Sequence, residues 1–230
     1  MKKSVYREYY EAILVAFILA LFVRTFVFEN FKIPSGSMED NLLIGDHLVV
    51  NKFVFASHGD TFLHRLFPYR APERGDVVVF KFPEDPRRDF IKRCVAVAGD
   101  HVEMRSKTLF VNGVPVDEPY VVHKDPRVFR DLPEEPSRNR MRDNIPPLVV
   151  PEGALFCLGD NRDNSLDSRF WGPVPLSYVK GRAVLIYWSY EAKRDDWEWR
   201  GLGHRLRQLA EVFLNFFTKT RWERQFRLIH

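Results

Sequence analysis

Cysteine is scarce. Cys94 and Cys157 are the only two in 230 residues, far apart and without CxxC spacing, which excludes a dithiol redox motif and a cysteine-built zinc site. Two readings of the pair are open: one disulfide in an oxidising compartment, or two buried thiols packing as small apolar groups. A basic arm is also missing. The 35 Lys and Arg are interleaved with 31 Asp and Glu, leaving a net charge of +4, and this pattern argues against a nucleic-acid partner. No internal repeat is present. No uninterrupted apolar run reaches the roughly 20 residues of a bilayer-spanning helix. The longest, Ala12 to Val23, resumes from Thr25 to Phe28 past a single Arg24. No small-x-small site follows it, so an uncleaved anchor is favoured over a removable signal peptide.

With Tyr9 and Tyr10 at one end and Phe26, Phe28 and Phe31 at the other, residues 9–28 read as a transmembrane anchor with aromatic interfacial flanks. Lys2, Lys3 and Arg7 precede it, against Arg24 and Lys32 near its far end. That bias places residues 1–8 in the cytoplasm and the rest outside, a single-pass topology. Short β-type runs follow at His47 to Phe53, Asp76 to Lys81, Phe90 to Ala98, Lys107 to Val116, Ala154 to Leu158 and Arg182 to Trp188. Asn112-Gly113 between two apolar triplets is a hairpin signal. The expected fold is mainly β, with a catalytic domain over 29–196 that carries a smaller inserted subdomain at about 101–153. Pro119 to Pro147, rich in Pro and charge, reads as a surface excursion. Residues 197–230 read as an amphipathic helix with Leu202, Leu206, Leu209, Phe213 and Phe216/Phe217 on one stripe and cations opposite. Two roles are open for it: packing on the β domain, or lying on anionic lipid.

Three segments carry chemistry: Ile33-Pro34-Ser35-Gly36-Ser37-Met38 just after the anchor, Phe90-Ile91-Lys92-Arg93 in a strand, and Gly159 to Arg169 after another strand. Singly, each has a plain structural reading as a turn, a snorkelling lysine and an Asn/Asp-rich loop. Their order, together with Gly45-Asp46, Gly75-Asp76-Val77-Val78-Val79-Phe80 and Gly99-Asp100, resembles the bacterial type I signal peptidases over most of residues 12–188. The resemblance implies a serine endopeptidase of the bacterial cytoplasmic membrane that removes signal peptides after Ala-x-Ala sites. Its nucleophile would be Ser37 and its general base Lys92. Ser35 would bind the oxyanion with the Ser37 N–H, and Ser165 would orient the lysine. Arg93, Asp160, Asp167 and Arg169 would be architectural. Pockets for small side chains would draw on Phe31, Ile33, Met38, Leu42, Val79, Phe90 and Ile91. Neither metal nor cofactor is expected. The implied partners are signal peptides of secretory preproteins and membrane lipid, and the chain is read as monomeric. Phe90 departs from the family's frequent tyrosine, and Glu39-Asp40-Asn41 from its frequent Met-x-Pro-Thr-Leu. A related peptidase with one dedicated client, or a non-catalytic anchored module, stays open.

The chemistry constrains the lysine. At an ordinary pKa of about 10.4 it would be only ~0.4% neutral near pH 8, whereas a value of roughly 8.5 makes about a quarter of it a usable base. Burial against Phe80, Phe90 and Ile91 is the expected cause. Ser37 lies about nine residues past Phe28, within roughly 30 Å even when extended, so it would work near the bilayer surface.

Overall fold

The computed structural model describes residues 5–55, 70–130, 132, 134, 136–192 and 202–229. Helix α1 spans Val5–Phe22, followed by a π-helical turn at Val23–Val27. Among the described residues no helix is long and apolar enough to cross a membrane. The reason is local: Arg7, Glu8 and Glu11 sit in its first turns, and the chain leaves the helix before the expected end at residue 28. Phe28 to Lys32 is strand β1. The side chains of Ile13, Phe17, Ile18 and Leu19 on α1 are exposed all round rather than packed.

Beyond α1 the fold is mainly β and antiparallel. The strands are β2 (Asp46–Asn51), β3 (Val77–Phe82), β4 (Asp85–Val97), β5 (His101–Arg105), β6 (Thr108–Val111), β7 (Val114–Pro115), β8 (Ile145–Val149), β9 (Ala154–Leu158), β10 (Val174–Pro175), β11 (Val179–Ser189) and β12 (Arg227–Leu228). The larger sheet runs β1-β2-β11-β3-β4-β9-β10, with β12 paired to β11, and the smaller runs β7-β6-β5-β8. Asn112 and Gly113 both take positive φ, 55° and 78°, as a two-residue hairpin turn requires. Val111 and Val114 face each other across it.

Strand alternation sends neighbouring side chains to opposite faces, and the larger sheet is covered on both. One face gathers Ile33, Met38, Leu42, Leu48, Val50, Val77, Val79, Ala183, Ile186 and Ile229, and the other Val78, Phe80, Cys94, Leu155, Cys157 and Val174. Val95, Ala96, Phe156 and Leu158 pack with Val102, Met104, Leu109 and Val111 of the smaller sheet. Cys94 and Cys157 are cross-strand partners on β4 and β9, and both are buried free thiols. Burial pushes the Cys157 thiol up, and the structure holds the pair as packed thiols, the second of the two readings.

The Pro119–Pro147 excursion is tied down by charge. It contains helix α2 (Ser137–Asp143), and Arg142 bridges Asp125 at 2.9 Å and the buried Asp143 at 2.8 Å. Helix α3 (Ser168–Trp171) begins on an Asp167 cap. The expected helix over 197–230 is broken. Helix α4 covers Leu202–Leu214, a short α5 covers Phe216–Lys219, and the chain then turns into β12. Residues 193–201 lie outside the described ones. Phe213, Leu214 and Phe217 are exposed, whereas Arg224 and Ile229 are buried in the β domain.

Candidate active site

Ser37 sits in a single 3-10 turn, Gly36–Met38, that follows extended Ser35. The turn is held from several sides: Glu39 N–H donates to the Gly36 carbonyl at 3.2 Å, Leu42 N–H to Met38 at 2.7 Å, and Asn161 N–H to Ser37 at 3.2 Å. The Asn161 side-chain amide also donates to the Gly36 carbonyl at 3.2 Å. Ser35 does not cap the turn with its side chain, so its hydroxyl is not committed to the turn's own N–H groups.

Lys92 lies near the middle of β4, opposite Val78 of β3. Its Nζ stands 2.6 Å from Ser37 Oγ and donates to the Ile91 carbonyl at 3.0 Å. Both residues are buried, Lys92 to 3% exposure. That burial lowers the lysine pKa to about 8, with desolvation outweighing the Asp167 and Asp160 carboxylates that pull the other way. The Phe90 ring walls the amine, its centroid 5.4 Å from Nζ.

Of the residues expected to line the pockets, Phe31, Ile33, Met38, Leu42, Val79 and Ile91 share one cluster. Phe31 and Ile91 are its partly exposed members, so they offer apolar surface from outside. Phe90 faces the other way by strand alternation, stacked on Phe82 at 4.4 Å and edge-on to Trp171.

Ser165 reaches the site by a different contact from the expected one. Its hydroxyl is buried beside Asp167, whose carboxyl it helps to hold low, and the Lys92–Ser165 hydrogen bond is not formed. It packs instead against Gly159, where a Cβ would come within 2.2 Å of Ser165 Oγ and 2.5 Å of the Ser37 carbonyl. Only a residue without a side chain lets β9 end this close to the Ser37 turn.

Two buried ion pairs frame the Ser37–Lys92 contact. Arg93 meets Asp160 through two hydrogen bonds of 2.9 and 2.8 Å, and Arg169 meets Asp167 likewise at 2.9 and 2.8 Å. Arg169 holds the Asp167 carboxyl below the usual carboxylate range against the desolvation that would raise it. Lys92 and Arg93 are adjacent on one strand, so alternation aims one at Ser37 and the other at Asp160. Asp160 also accepts from the Asn41 amide at 2.9 Å, and Arg93 lies 4.0 Å over the Tyr120 ring. Arg162 pairs with Glu118. The sequence pattern does not mark Asn41, Glu118, Tyr120 or Asn161 as residues of the site. For Asn161 a signal existed, since it lies inside the Gly159–Arg169 motif; Glu118 and Tyr120 lie beside or within a stretch that reads as surface. Among the described residues no group of three His, Cys, Asp or Glu side chains could hold a metal ion.

The sequence profile of the family described as "Signal peptidase, peptidase S26" matches residues 6–188. Signal peptidase I of Pseudomonas aeruginosa is 33% identical over 214 residues, 82% of this chain and 75% of that protein. Signal peptidase I of Aquifex aeolicus is 33% identical over 217 residues, 75% of this chain and 80% of that protein. The crystal structure of a signal peptidase I from Enterococcus faecalis is 33% identical, with a TM-score of 0.38 over 49% of this chain and 97% of that one.

Proposed function

Since this chain belongs to the signal peptidase S26 family, a family of serine peptidases that remove signal peptides, we propose that it cleaves preproteins with Ser37 as nucleophile and Lys92 as general base. The observation that carries the reading is the 2.6 Å approach of a buried amine to a serine hydroxyl. A serine hydroxyl is a weak nucleophile until a base takes its proton. With its pKa brought down to about 8, Lys92 is a base near neutrality without a histidine.

The proposed course has two halves. Neutral Lys92 accepts the Ser37 proton as Oγ bonds to the scissile carbonyl carbon, and the carbonyl π electrons move to oxygen. The Ser37 N–H and the Ser35 hydroxyl receive that oxyanion. Collapse breaks the C–N bond, and the Lys92 ammonium gives its proton to the departing amine. Water, deprotonated by the same lysine, then hydrolyses the acyl-enzyme ester and returns Ser37 to its hydroxyl form. Arg93, Asp160, Asp167 and Arg169 hold the frame and touch no reacting atom.

The proposed substrate is a signal peptide with small residues at P1 and P3, the Ala-x-Ala pattern, lying extended against Phe31 and Ile91. Residues 9–28 are the proposed single-pass anchor, with residues 1–8 cytoplasmic and the catalytic domain (29–196, including a subdomain at about 101–153) outside. The uniformly exposed apolar flanks of α1 support it. Ala12 to Val27 spans about 24 Å at helical rise, and interfacial aromatics at either end make up the balance to about 30 Å of hydrocarbon. The test is hydrolysis of a fluorogenic Ala-x-Ala peptide by detergent-solubilised wild type and Ser37→Ala side by side. Loss of turnover in the variant is expected, and a variant that still cleaves would overturn the nucleophile assignment.

A further inference from the structure

The segment from Arg221 to Ile229 is far from Ser37 in sequence yet is built into its support. Arg224 is buried. Its Nη2 donates to the Asn41 carbonyl at 2.8 Å, 183 positions away in sequence, and to Asp46 Oδ2 at 2.7 Å, while Nε donates to Asp46 Oδ1 at 3.3 Å. Asn41 and Asp46 belong to the loop that leads from the Ser37 turn into β2. One guanidinium thus grips that loop at two places.

Each of those two places is tied to residues that flank the Ser37 turn, among them Asp160, whose neighbour Asn161 donates its N–H to the Ser37 carbonyl. The Asn41 amide donates to Asp160 and to the Tyr120 carbonyl at 2.7 Å. The Asp46 carboxylate accepts the Leu43 N–H at 2.8 Å and the Ser189 hydroxyl at 2.6 Å, and its backbone carbonyl accepts the Ile33 N–H at 2.9 Å. Just before Asn41, Asp40 sits at φ 74°, a conformation that a residue with a side chain keeps only where its surroundings over-determine it. Gly45 takes φ 91°, and a Cβ there would meet the Tyr190 carbonyl at 2.0 Å. Arg221 donates to the Ile44 carbonyl at 3.1 Å, and Ile229 packs in the cluster that holds Ile33, Met38 and Leu42.

We propose that Arg224 is a positioning residue for the peptidase reaction, acting through the Asn41–Asp46 loop to keep Ser37 Oγ within reach of Lys92. The inference rests on Ser37 being the nucleophile. A Ser37 turn released from this clamp samples geometries in which the proton cannot pass, and such misplacement lowers turnover more than it lowers substrate binding. The Arg224 guanidinium bonds to Asn41 and Asp46 and not to Lys92, so the lysine's titration should stay where it was.

The test uses the full chain in detergent, comparing wild type, Arg224→Gln, Arg224→Lys and Ser37→Ala on the Ala-x-Ala peptide, under conditions where circular dichroism shows each protein folded. Arg224→Gln should lower kcat about 10- to 100-fold with KM within about threefold and the acid-limb midpoint unmoved. Arg224→Lys, which can reach one of the two acceptors, should recover part of the loss. If Arg224→Gln does not fold, Arg224→Lys carries the same comparison, and failure of both to fold overturns the positioning role. Full kcat in a folded variant, or a change in KM alone, overturns it as well. An active Ser37→Ala would instead defeat the nucleophile reading, whereas an inactive Ser37→Ala beside a full-rate Arg224→Gln defeats only the clamp.

Discussion

Replacing Lys92 with methionine should make the protein more stable at pH 7 while abolishing its activity. The lysine is buried, and its proton affinity falls from an ordinary 10.5 to about 8. At about 1.4 kcal/mol per tenfold change, holding the ammonium in the folded state costs on the order of 3 kcal/mol. Methionine has a similar length and no charge, so it removes that cost. It also forfeits the contacts to Ser37 Oγ and the Ile91 carbonyl, worth about 1 kcal/mol net. The expected gain at pH 7 is therefore about 2 kcal/mol, or roughly 4–8 °C in Tm for a domain of this size.

The sign fixes the pH dependence. Because the folded pKa lies below the unfolded one, the unfolded chain binds more protons between about 8 and 10.5, and wild-type stability rises with pH across that window. The advantage of Lys92→Met should shrink from pH 8 upward, cross zero between about pH 9.5 and 10, and level off as a disadvantage of about 1 kcal/mol above about 10.5, where both states of the wild type hold neutral lysine. Denaturant unfolding in detergent at pH 7, 9 and 10.5 measures it. A variant less stable than wild type at pH 7, or an advantage that does not change with pH, would refute the argument.

The acid limb of kcat/KM should have a midpoint near pH 8, set by Lys92 losing its proton; a rate controlled by a group titrating near 4 to 5 would remove the lysine from the base role. Asp167→Asn leaves the Arg169 guanidinium buried opposite a neutral amide, where both partners are now 0% exposed, and should cost about 3–5 kcal/mol in denaturant unfolding. A loss below about 1 kcal/mol would mean the pair is solvated in solution. Gly159→Ala should reduce turnover at least about tenfold by pushing the Ser37 carbonyl and Ser165 apart, and full activity would show that β9 can retreat without disturbing the turn.

Much of the fold is legible in residue pattern, for identifiable reasons. Ala154 to Leu158 reads as a buried strand because it is continuously apolar, and all five residues of β9 are buried. The Asn112-Gly113 turn is written in the two residues that tolerate positive φ. Strand β8 is not legible, because Pro146 and Pro147 argue against a strand and are tolerated only at the rim of a sheet; β8 does lie at the edge of the smaller sheet. Strand β1 is hidden by its own apolar character, which reads as the end of an anchor. At the site, the types of Ser37 and Lys92 are plain but their meeting depends on a register between β3 and β4 and on a turn held by Asn161. No local pattern encodes that. The supporting role of Arg224 is less visible still, since a cation between Trp222 and Phe226 looks like one more charge on an amphipathic face until β12 brings it back to Asp46.

The buried guanidinium–carboxylate pairs also bear on how this protein can change over generations. Arg93 with Asp160, Arg162 with Glu118, Arg169 with Asp167 and Arg224 with Asp46 are each matched across sequence or across a turn. Losing one member strands the other charge in a poorly solvated interior, while exchanging both for apolar residues can be neutral. A lineage therefore meets a stability valley at either single substitution and level stability only at the double one. The positions should drift as couples, so that among descendants of this chain an apolar residue at one site predicts an apolar residue at its mate, even though none of the eight takes part in the reaction.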